Sequence, residues 1–458
     1  MLGNKKIFLV GTILSFVLLF LTPSKLFFPL PFILFFLVAF FYFKEIKKAI
    51  FLSIVFSLPY LPGFSLLVID NINLFSISPF VGFVLLSSLF SFKKSIRYSF
   101  SWPMIYLFSF IIWNVFSFIV INTFPEVLDG LYEIIIGFLL YYLAREYLKE
   151  EVLRDSIVFI IASILIFESM VTLLQFISGH PLGRFIEAGI TSLPYGKVAS
   201  ENIALYRPSG TMYGPTWLSR LINMLLPFVL LNTKLIFPLS KKGRLVIVAL
   251  ASLAVFVSFT RVSWIVLLLI ILYVFFRKKK EMNLALVIRP AHFFLIGLFS
   301  FFFIFFSFPY FYQRWVTTSI SFEEKGSFGL RVKLFSEAIN VLEQYPIFGV
   351  GLNRYVIVAS AENITGVYNY SKEQVHNLLM LIACETGIPG VLFFIGFIVS
   401  SYSYYLIKRK SIKDFELQKF KDAAAIGGLV FLAETMLNIT FLAPHYYLFH
   451  LFMAILTS

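Results

Sequence analysis

The chain has 458 residues, of which 59% are hydrophobic, 19% aromatic and 14% charged, with a mean hydropathy of +0.90. A soluble globular domain carries about 25% charged residues, so a soluble enzyme is excluded and a polytopic membrane protein is indicated. The formal charge of +14 does not point to nucleic acid, because Lys and Arg collect in the short cytoplasmic loops of membrane proteins and set their orientation.

A helix needs about 20 mainly apolar residues to cross roughly 30 Å of hydrocarbon. The first such run, about Ile7 to Thr22, follows Lys5 and Lys6, and no small-residue cleavage site lies behind it, which predicts a retained span. The second covers Phe27 to Phe43 and ends in Lys44, Lys47 and Lys48. A third, Ala49 to Ile69, bent by Pro59 and Pro62, exits at Asp70-Asn71, and a fourth, Leu74 to Phe92, returns to Lys93, Lys94 and Arg97. The fifth, Trp102 to Ile121, leads out to Glu126 and Asp129; the sixth, Leu131 to Leu148, returns to Lys149 and Arg154; the seventh, Ser156 to Ser178, leaves again.

After an outer loop over 179–214, the eighth run (Pro215 to Asn232) enters the basic stretch from Lys234 to Arg244. The ninth and tenth, Leu245 to Thr260 and Val262 to Phe276, meet at a short outer turn holding Arg261, and Arg277 to Lys280 mark the inside once more. The eleventh, Ala291 to Phe308, opens onto the longest polar stretch; the twelfth ends near Ile407, before the basic loop Lys408 to Lys421. A final pair, about Ala423 to Phe441 and the short run His445 to Leu456, brings the C-terminus back to the cytoplasm.

The expected fold is therefore an all-α polytopic membrane protein, one integral domain over 1–458. It is a bundle of about 12 transmembrane helices, or about 14 if the C-terminal pair both cross, with one large outer-face insert carrying an amphipathic interfacial helix. Most of the Lys and Arg lie inside in this scheme, with both termini cytoplasmic, and the outer loops 179–214 and 309–375 are expected to form the site.

Basic residues on the outer face are then the informative ones. Arg261 sits between two apolar runs, and an arginine at that depth is costly unless it faces a partner, a cavity or a ligand. Arg207, in Tyr206-Arg-Pro-Ser-Gly-Thr211, is a weaker candidate in a longer loop. In the insert, Leu330, Leu334, Ala338 and Leu342 recur every four residues, which predicts an amphipathic helix from near Ser327 to Pro346, lying along the interface. Arg331 falls in its first turn, where a cation opposes the helix dipole and an anionic ligand is welcome. Ser371 and Gln374 have capping-box spacing, which predicts a second helix from near Lys372 with His376 and Asn377 in its first turns. A neutral imidazole at a helix N-terminus is a competent general base, and a structural histidine fits the position about as well. Glu385 projects from another side of that helix and makes a poor metal pair with His376. His292, His445 and His450 stand alone in apolar runs and read as structural; Cys384 reads as a small buried side chain.

Arginine's planar fork suits phosphate oxygens, and the bilayer accommodates a lipid tail. Two or three outer-face arginines and one histidine therefore suit a lipid diphosphate that leaves once its charge is neutralised, with His376 deprotonating an attacking hydroxyl. Three blocks carry a resemblance: Gly329-Leu-Arg331 with Glu337-Ala338, Pro346-Ile-Phe-Gly-Val-Gly351, and His376-Asn-Leu-Leu379 followed by Glu385-Thr-Gly-Ile-Pro-Gly390. Ser209-Gly-Thr211 with Gly214-Pro215, and Thr260-Arg-Val-Ser-Trp264, extend it.

From Tyr206 to Ile398 the chain resembles the O-antigen ligase and O-antigen polymerase superfamily of bacterial envelope polysaccharide assembly. The resemblance implies a metal-independent, inverting glycosyltransferase of the inner membrane that needs no cofactor. It would move a glycan from undecaprenyl diphosphate to a sugar hydroxyl of lipid A-core at the periplasmic face. By the same resemblance Arg261 and Arg331, with Arg207, would hold the diphosphate and His376 would activate the acceptor, supported by Asn377 and Glu385. A polymerase, with a second lipid-linked glycan as acceptor, shares the donor chemistry. A lipid-linked sugar transporter is the rival outside enzymology; it should carry charged residues near the midplane, whereas here they are expected at one face.

Overall fold

In a membrane the backbone must satisfy its own N–H and C=O groups, and the apolar runs of this chain duly form helices in the computed structural model, which describes residues 2–24, 26–60, 64–69, 72–91, 101–121, 126–184, 186–187, 206–231, 241–281, 327–369, 371–438 and 444–458. In order these are α1 (Leu2–Leu21), α2 (Leu30–Phe43), α3 (Ile46–Ser57), β1 (Phe64–Ile69), β2 (Ile72–Ile77), α4 (Pro79–Ser91), α5 (Trp102–Ile121), α6 (Glu126–Tyr147) and α7 (Glu151–Ser178). There follow α8 (Pro215–Leu231), α9 (Lys241–Val257), α10 (Arg261–Glu281), α11 (Ser327–Gln344), α12 (Tyr355–Glu362), α13 (Leu378–Arg409), α14 (Phe415–Thr435) and α15 (His445–Thr457).

Among the described residues, α5, α6, α7 and α13 are long and apolar enough to cross a bilayer, and α2, α4, α8 and the first part of α10 are shorter apolar helices. This is the pattern of a multi-pass helical membrane protein. The predicted eleventh run, Ala291 to Phe308, lies outside the described residues.

The third and fourth predicted spans need correction. Helix α3 stops at Ser57, just ahead of Pro59, which has no N–H to continue the ladder. The chain then forms an antiparallel hairpin, β1 on β2, with Ile69 opposite Ile72, before α4 begins at Pro79. Among the described residues the all-helical expectation holds except for this one ribbon.

At the C-terminus, α14 packs on α8, and α15 packs between α6, α13 and α14. Every residue of α15 is buried, so this short helix acts as a core element. His445 Nε2 lies 2.8 Å from the Trp217 carbonyl and His450 Nδ1 lies 2.9 Å from that of Tyr446, the structural roles expected of both.

The insert is tied to the bundle by backbone. At Gly387 α13 breaks (φ 74°, ψ 176°), and the segment 346–351 crosses the break as a strap. Val350 N–H donates to the Cys384 carbonyl (2.9 Å), Gly351 N–H to that of Glu385 (3.0 Å), and Ile388 N–H to that of Pro346 (2.8 Å). From α5, Trp113 Nε1 donates to the Thr386 carbonyl (2.7 Å) and Ser117 Oγ to that of Phe348 (2.8 Å), with the Trp113 and Phe348 rings stacked 5.2 Å apart. The interlock accounts for two of the glycine-rich blocks noted in the sequence. A Cβ on Gly387 would sit 1.8 Å from the Ile347 carbonyl oxygen, and one on Gly349 would sit 2.3 Å from the Glu385 carbonyl carbon.

Helix α11 rests on α13 through Leu334, Ala338 and Val341, all fully buried, and Cys384 is buried against it with Sγ 3.2 Å from the Ala338 carbonyl oxygen. Its other side exposes Phe328, Val332, Phe335 and Ile339, an apolar face suited to the membrane interface.

Gly387→Ala is expected to cost about 3 kcal/mol or more, since strained backbone and a clash with backbone combine. Gly366→Ala also has positive φ (71°), but its nearest neighbour is the Asn369 side chain at 3.6 Å, so only about 1 kcal/mol is expected. Thermal unfolding of the two purified variants in detergent checks the difference; equal losses would contradict the interlock.

Candidate functional site

Helix α7 positions the first side chain of the site. Its buried Gln175 accepts N–H bonds from Ser209 (3.1 Å) and Gly210 (2.8 Å) and donates to the Gly210 carbonyl (2.8 Å). Two turns earlier on the same face, Glu168 accepts from Thr211 N–H (3.1 Å) and Thr211 Oγ1 (2.6 Å). The Ser209-Gly-Thr211 block is therefore a docked loop. Gly210 has φ 59°, and a Cβ there would meet Glu168 Oε2 at 2.6 Å.

The docked loop presents Arg207 to the turn between α9 and α10. Its Nε donates to the Ser258 carbonyl (3.0 Å) and its Nη2 to Thr260 Oγ1 (3.1 Å). Between these two residues Phe259 is held at φ 54°, a left-handed conformation that is rare for a bulky residue and persists only when its surroundings over-determine it. Two residues after Phe259 comes Arg261, the first of α10. Arg207 is thus fastened to the turn that launches Arg261.

Arg331 lies in the first turn of α11, half-buried, with Nη2 donating to Asn438 Oδ1 at 3.3 Å. Burial lowers its pKa; Glu373 opposes that shift and the positive charge of Arg261 adds to it. The two arginines are therefore within electrostatic reach of each other although 70 residues apart in number.

The helix expected from near Lys372 is not observed. Residues 371–377 are non-helical, and α13 begins at Leu378 with Asn377 as its N-cap, whose Oδ1 accepts from Met380 N–H at 3.0 Å. A capping side chain needs an extended backbone, and Asn377 has one (φ −152°, ψ 116°), so Asn377 outcompetes Ser371 for the helix start. His376 consequently precedes the helix. Its side chain is 12% exposed, with Nε2 3.6 Å from Glu373 Oε2, and Nδ1 has no partner meeting hydrogen-bond geometry among the described residues. Burial, then the positive charge of Arg331, pushes its pKa down to about 4, so the imidazole is neutral at physiological pH. Glu373 is itself raised by burial, against the pull of Arg331.

Arg331 thus stands within electrostatic reach of Arg261, of His376 and of Glu373, which come from separate elements. Arg207 stands behind Arg261. Glu385 stands apart: it is buried in α13 two turns beyond the cap, and its carboxylate faces the backbone N–H groups of Asn353 and Tyr355, which belongs to the strap and the start of α12. Sequence reasoning passed over Glu373 and Asn438. Glu373 had a usable signal, three residues ahead of His376; Asn438, 107 residues from Arg331, had none.

Buried charge also lies within the helices, contrary to the expectation that it gathers at one face. Glu434 of α14 accepts from Asn223 Nδ2 (2.8 Å) and Ser263 Oγ (2.9 Å), and Arg220 Nε approaches it to 3.9 Å. These groups are matched to one another.

Residues 246–395, about a third of the chain, match the family model described as O-antigen ligase. The match takes in Arg261, Arg331, His376, Asn377 and Glu385, and leaves Arg207, Glu434 and Asn438 outside it. No curated protein matches the chain.

In histidine-labelled protein followed by NMR in detergent, His376 is expected to titrate near pH 4. Arg331→Gln removes a cation that disfavours the imidazolium, so the midpoint should rise. A midpoint near 6.5 in the wild type, or one that Arg331→Gln leaves in place, would contradict this geometry.

Proposed function

We propose that the chain is a member of the O-antigen ligase superfamily, a reading that the match over residues 246–395 supports, and that it transfers a glycan from an undecaprenyl-diphosphate carrier to a sugar hydroxyl of lipid A-core at the periplasmic face of the inner membrane. The observation that carries the reading is Arg331, half-buried and within electrostatic reach both of a second guanidinium, Arg261, and of a buried, neutral imidazole, His376.

A diphosphate relieves the repulsion between the two guanidinium groups. Like charges in a medium of reduced dielectric repel more strongly than in water, and an anion bridging them turns repulsion into attraction on both sides. The planar forks of Arg261 and Arg331 suit the non-bridging oxygens of the two phosphates. As the bond between the anomeric carbon and the diphosphate oxygen breaks, its electron pair passes to the diphosphate, where the arginines stabilise the developing charge.

His376 serves as the base. The lone pair of its neutral imidazole takes the proton of the acceptor hydroxyl as the hydroxyl oxygen bonds to the anomeric carbon. Attack opposite the leaving diphosphate inverts the anomeric centre. Asn377 fixes the backbone immediately after His376 through its cap, and Arg207 holds the turn that carries Arg261. No step in this scheme is assigned to a metal or cofactor. A polymerase would use the same donor site, with a second lipid-linked glycan in place of lipid A-core.

Transfer by the purified protein from undecaprenyl-diphosphate glycan to lipid A-core tests the reading. Arg261→Ala and Arg331→Ala are each expected to lower turnover by about 100-fold or more with membrane insertion intact, and Arg331→Lys by about tenfold, because a point charge lacks the fork. His376→Ala should lose about 10²- to 10⁴-fold in kcat. Chelator should have little effect. Wild-type turnover in both arginine variants would remove the diphosphate site, and elongated lipid-linked chains formed without lipid A-core would favour the polymerase.

A further inference from the structure

Two residues at and just beyond the end of α14 contact Arg331 and the helical turn that begins with Arg261. Glu434, fully buried, accepts from Ser263 Oγ at 2.9 Å and from Asn223 Nδ2 at 2.8 Å. Ser263 lies two residues after Arg261 in the first turn of α10, and its Oγ is 2.8 Å from Ser219 Oγ while its carbonyl accepts from Asn223 Nδ2 at 3.0 Å. The start of α10 is thereby pinned to α14 and α8. Backbone bonds from Met436 N–H to the Leu432 carbonyl (3.1 Å) and from Leu437 N–H to that of Glu434 (3.3 Å) carry α14 onward for another turn. That turn ends at Asn438, 5% exposed, whose Oδ1 accepts from Arg331 Nη2 at 3.3 Å.

We propose that this end of α14 is a brace that sets the spacing of Arg261 and Arg331, with Glu434 and Asn438 as positioning residues for the anion the two arginines bind. The proposal rests on the functional reading above for the identity of that anion, a lipid diphosphate.

The residue types fit the role. An amide at 438 orients the Arg331 guanidinium and leaves its positive charge intact, whereas a carboxylate there would hold it equally well and compete with the diphosphate. Asn438 Nδ2 is buried with no hydrogen-bond partner among the described residues, so it can donate to an oxygen of the same anion. The carboxylate in the brace is instead kept one turn away, at 434, among Arg220, Asn223 and Ser263.

The test is binding of undecaprenyl diphosphate to the purified full-length protein in detergent micelles, with thermal unfolding of each variant in parallel. Asn438→Ala is expected to raise Kd about tenfold, the worth of one hydrogen bond to a charged group, at unchanged Tm. Asn438→Asp should raise Kd further although it retains the contact with Arg331, and Ser263→Ala should raise it by a few-fold by cutting the link from Glu434 to α10. In an Arg331→Ala background the Asn438 substitutions should add nothing.

A purely structural role predicts the opposite: Asn438→Asp binding as the wild type, or losses that persist in the Arg331→Ala background. Either result would overturn the brace. Wild-type protein that binds tightly, with all three single variants unchanged, would overturn the brace and leave the functional reading standing. Wild-type protein that binds no lipid diphosphate would overturn both.

Discussion

The juxtaposition of Arg261 and Arg331 is the constraint on which the rest depends. Two guanidinium groups do not approach each other in half-buried surroundings on their own account, because desolvation and mutual repulsion both oppose it. The fold has to hold them there. Arg261 is placed by a turn whose left-handed Phe259 is fastened by Arg207, and Arg331 by a helix that rests on α13 and reaches Asn438. Burial, and then the positive charge of Arg331, keeps His376 neutral, so on the proposed reading one arrangement serves an anion site and a base together.

The backbone interlock gives this arrangement its rigidity. The insert would otherwise be a long excursion from the bundle, free to move relative to it. Instead the strap 346–351 crosses the break in α13 at Gly387, and α5 donates two side-chain hydrogen bonds into the same junction. Helix α11 and the segment that ends at His376 are consequently referenced to one framework. On the proposed reading this is how groups from distant parts of the chain hold a reacting geometry to within the tolerance that transfer chemistry requires.

Much of this was legible in the residues. Long apolar runs such as Trp102 to Ile121 appear as helices with the expected bounds, since hydropathy and length suffice there. The sequence singles out Arg261 as a lone arginine in a turn expected on the outer face, and Arg331 as a cation near a helix start; the fold brings the two within electrostatic reach. Hydropathy failed between Ala49 and Phe92, where an apolar strand and an apolar helix look alike; the two-residue Asp70-Asn71 break between apolar stretches was a hairpin signal. The start of α13 was misplaced because two capping residues compete, and only the fold shows that Asn377 wins. Asn438 was illegible: its importance lies entirely in a contact made across the bundle.

A structure of the protein with undecaprenyl diphosphate bound tests the central claim most directly. The account predicts phosphate oxygens within about 3 Å of both the Arg261 and Arg331 guanidinium groups, with His376 on the side from which an acceptor hydroxyl would approach. A diphosphate seated elsewhere, or held by only one of the two arginines, would contradict it.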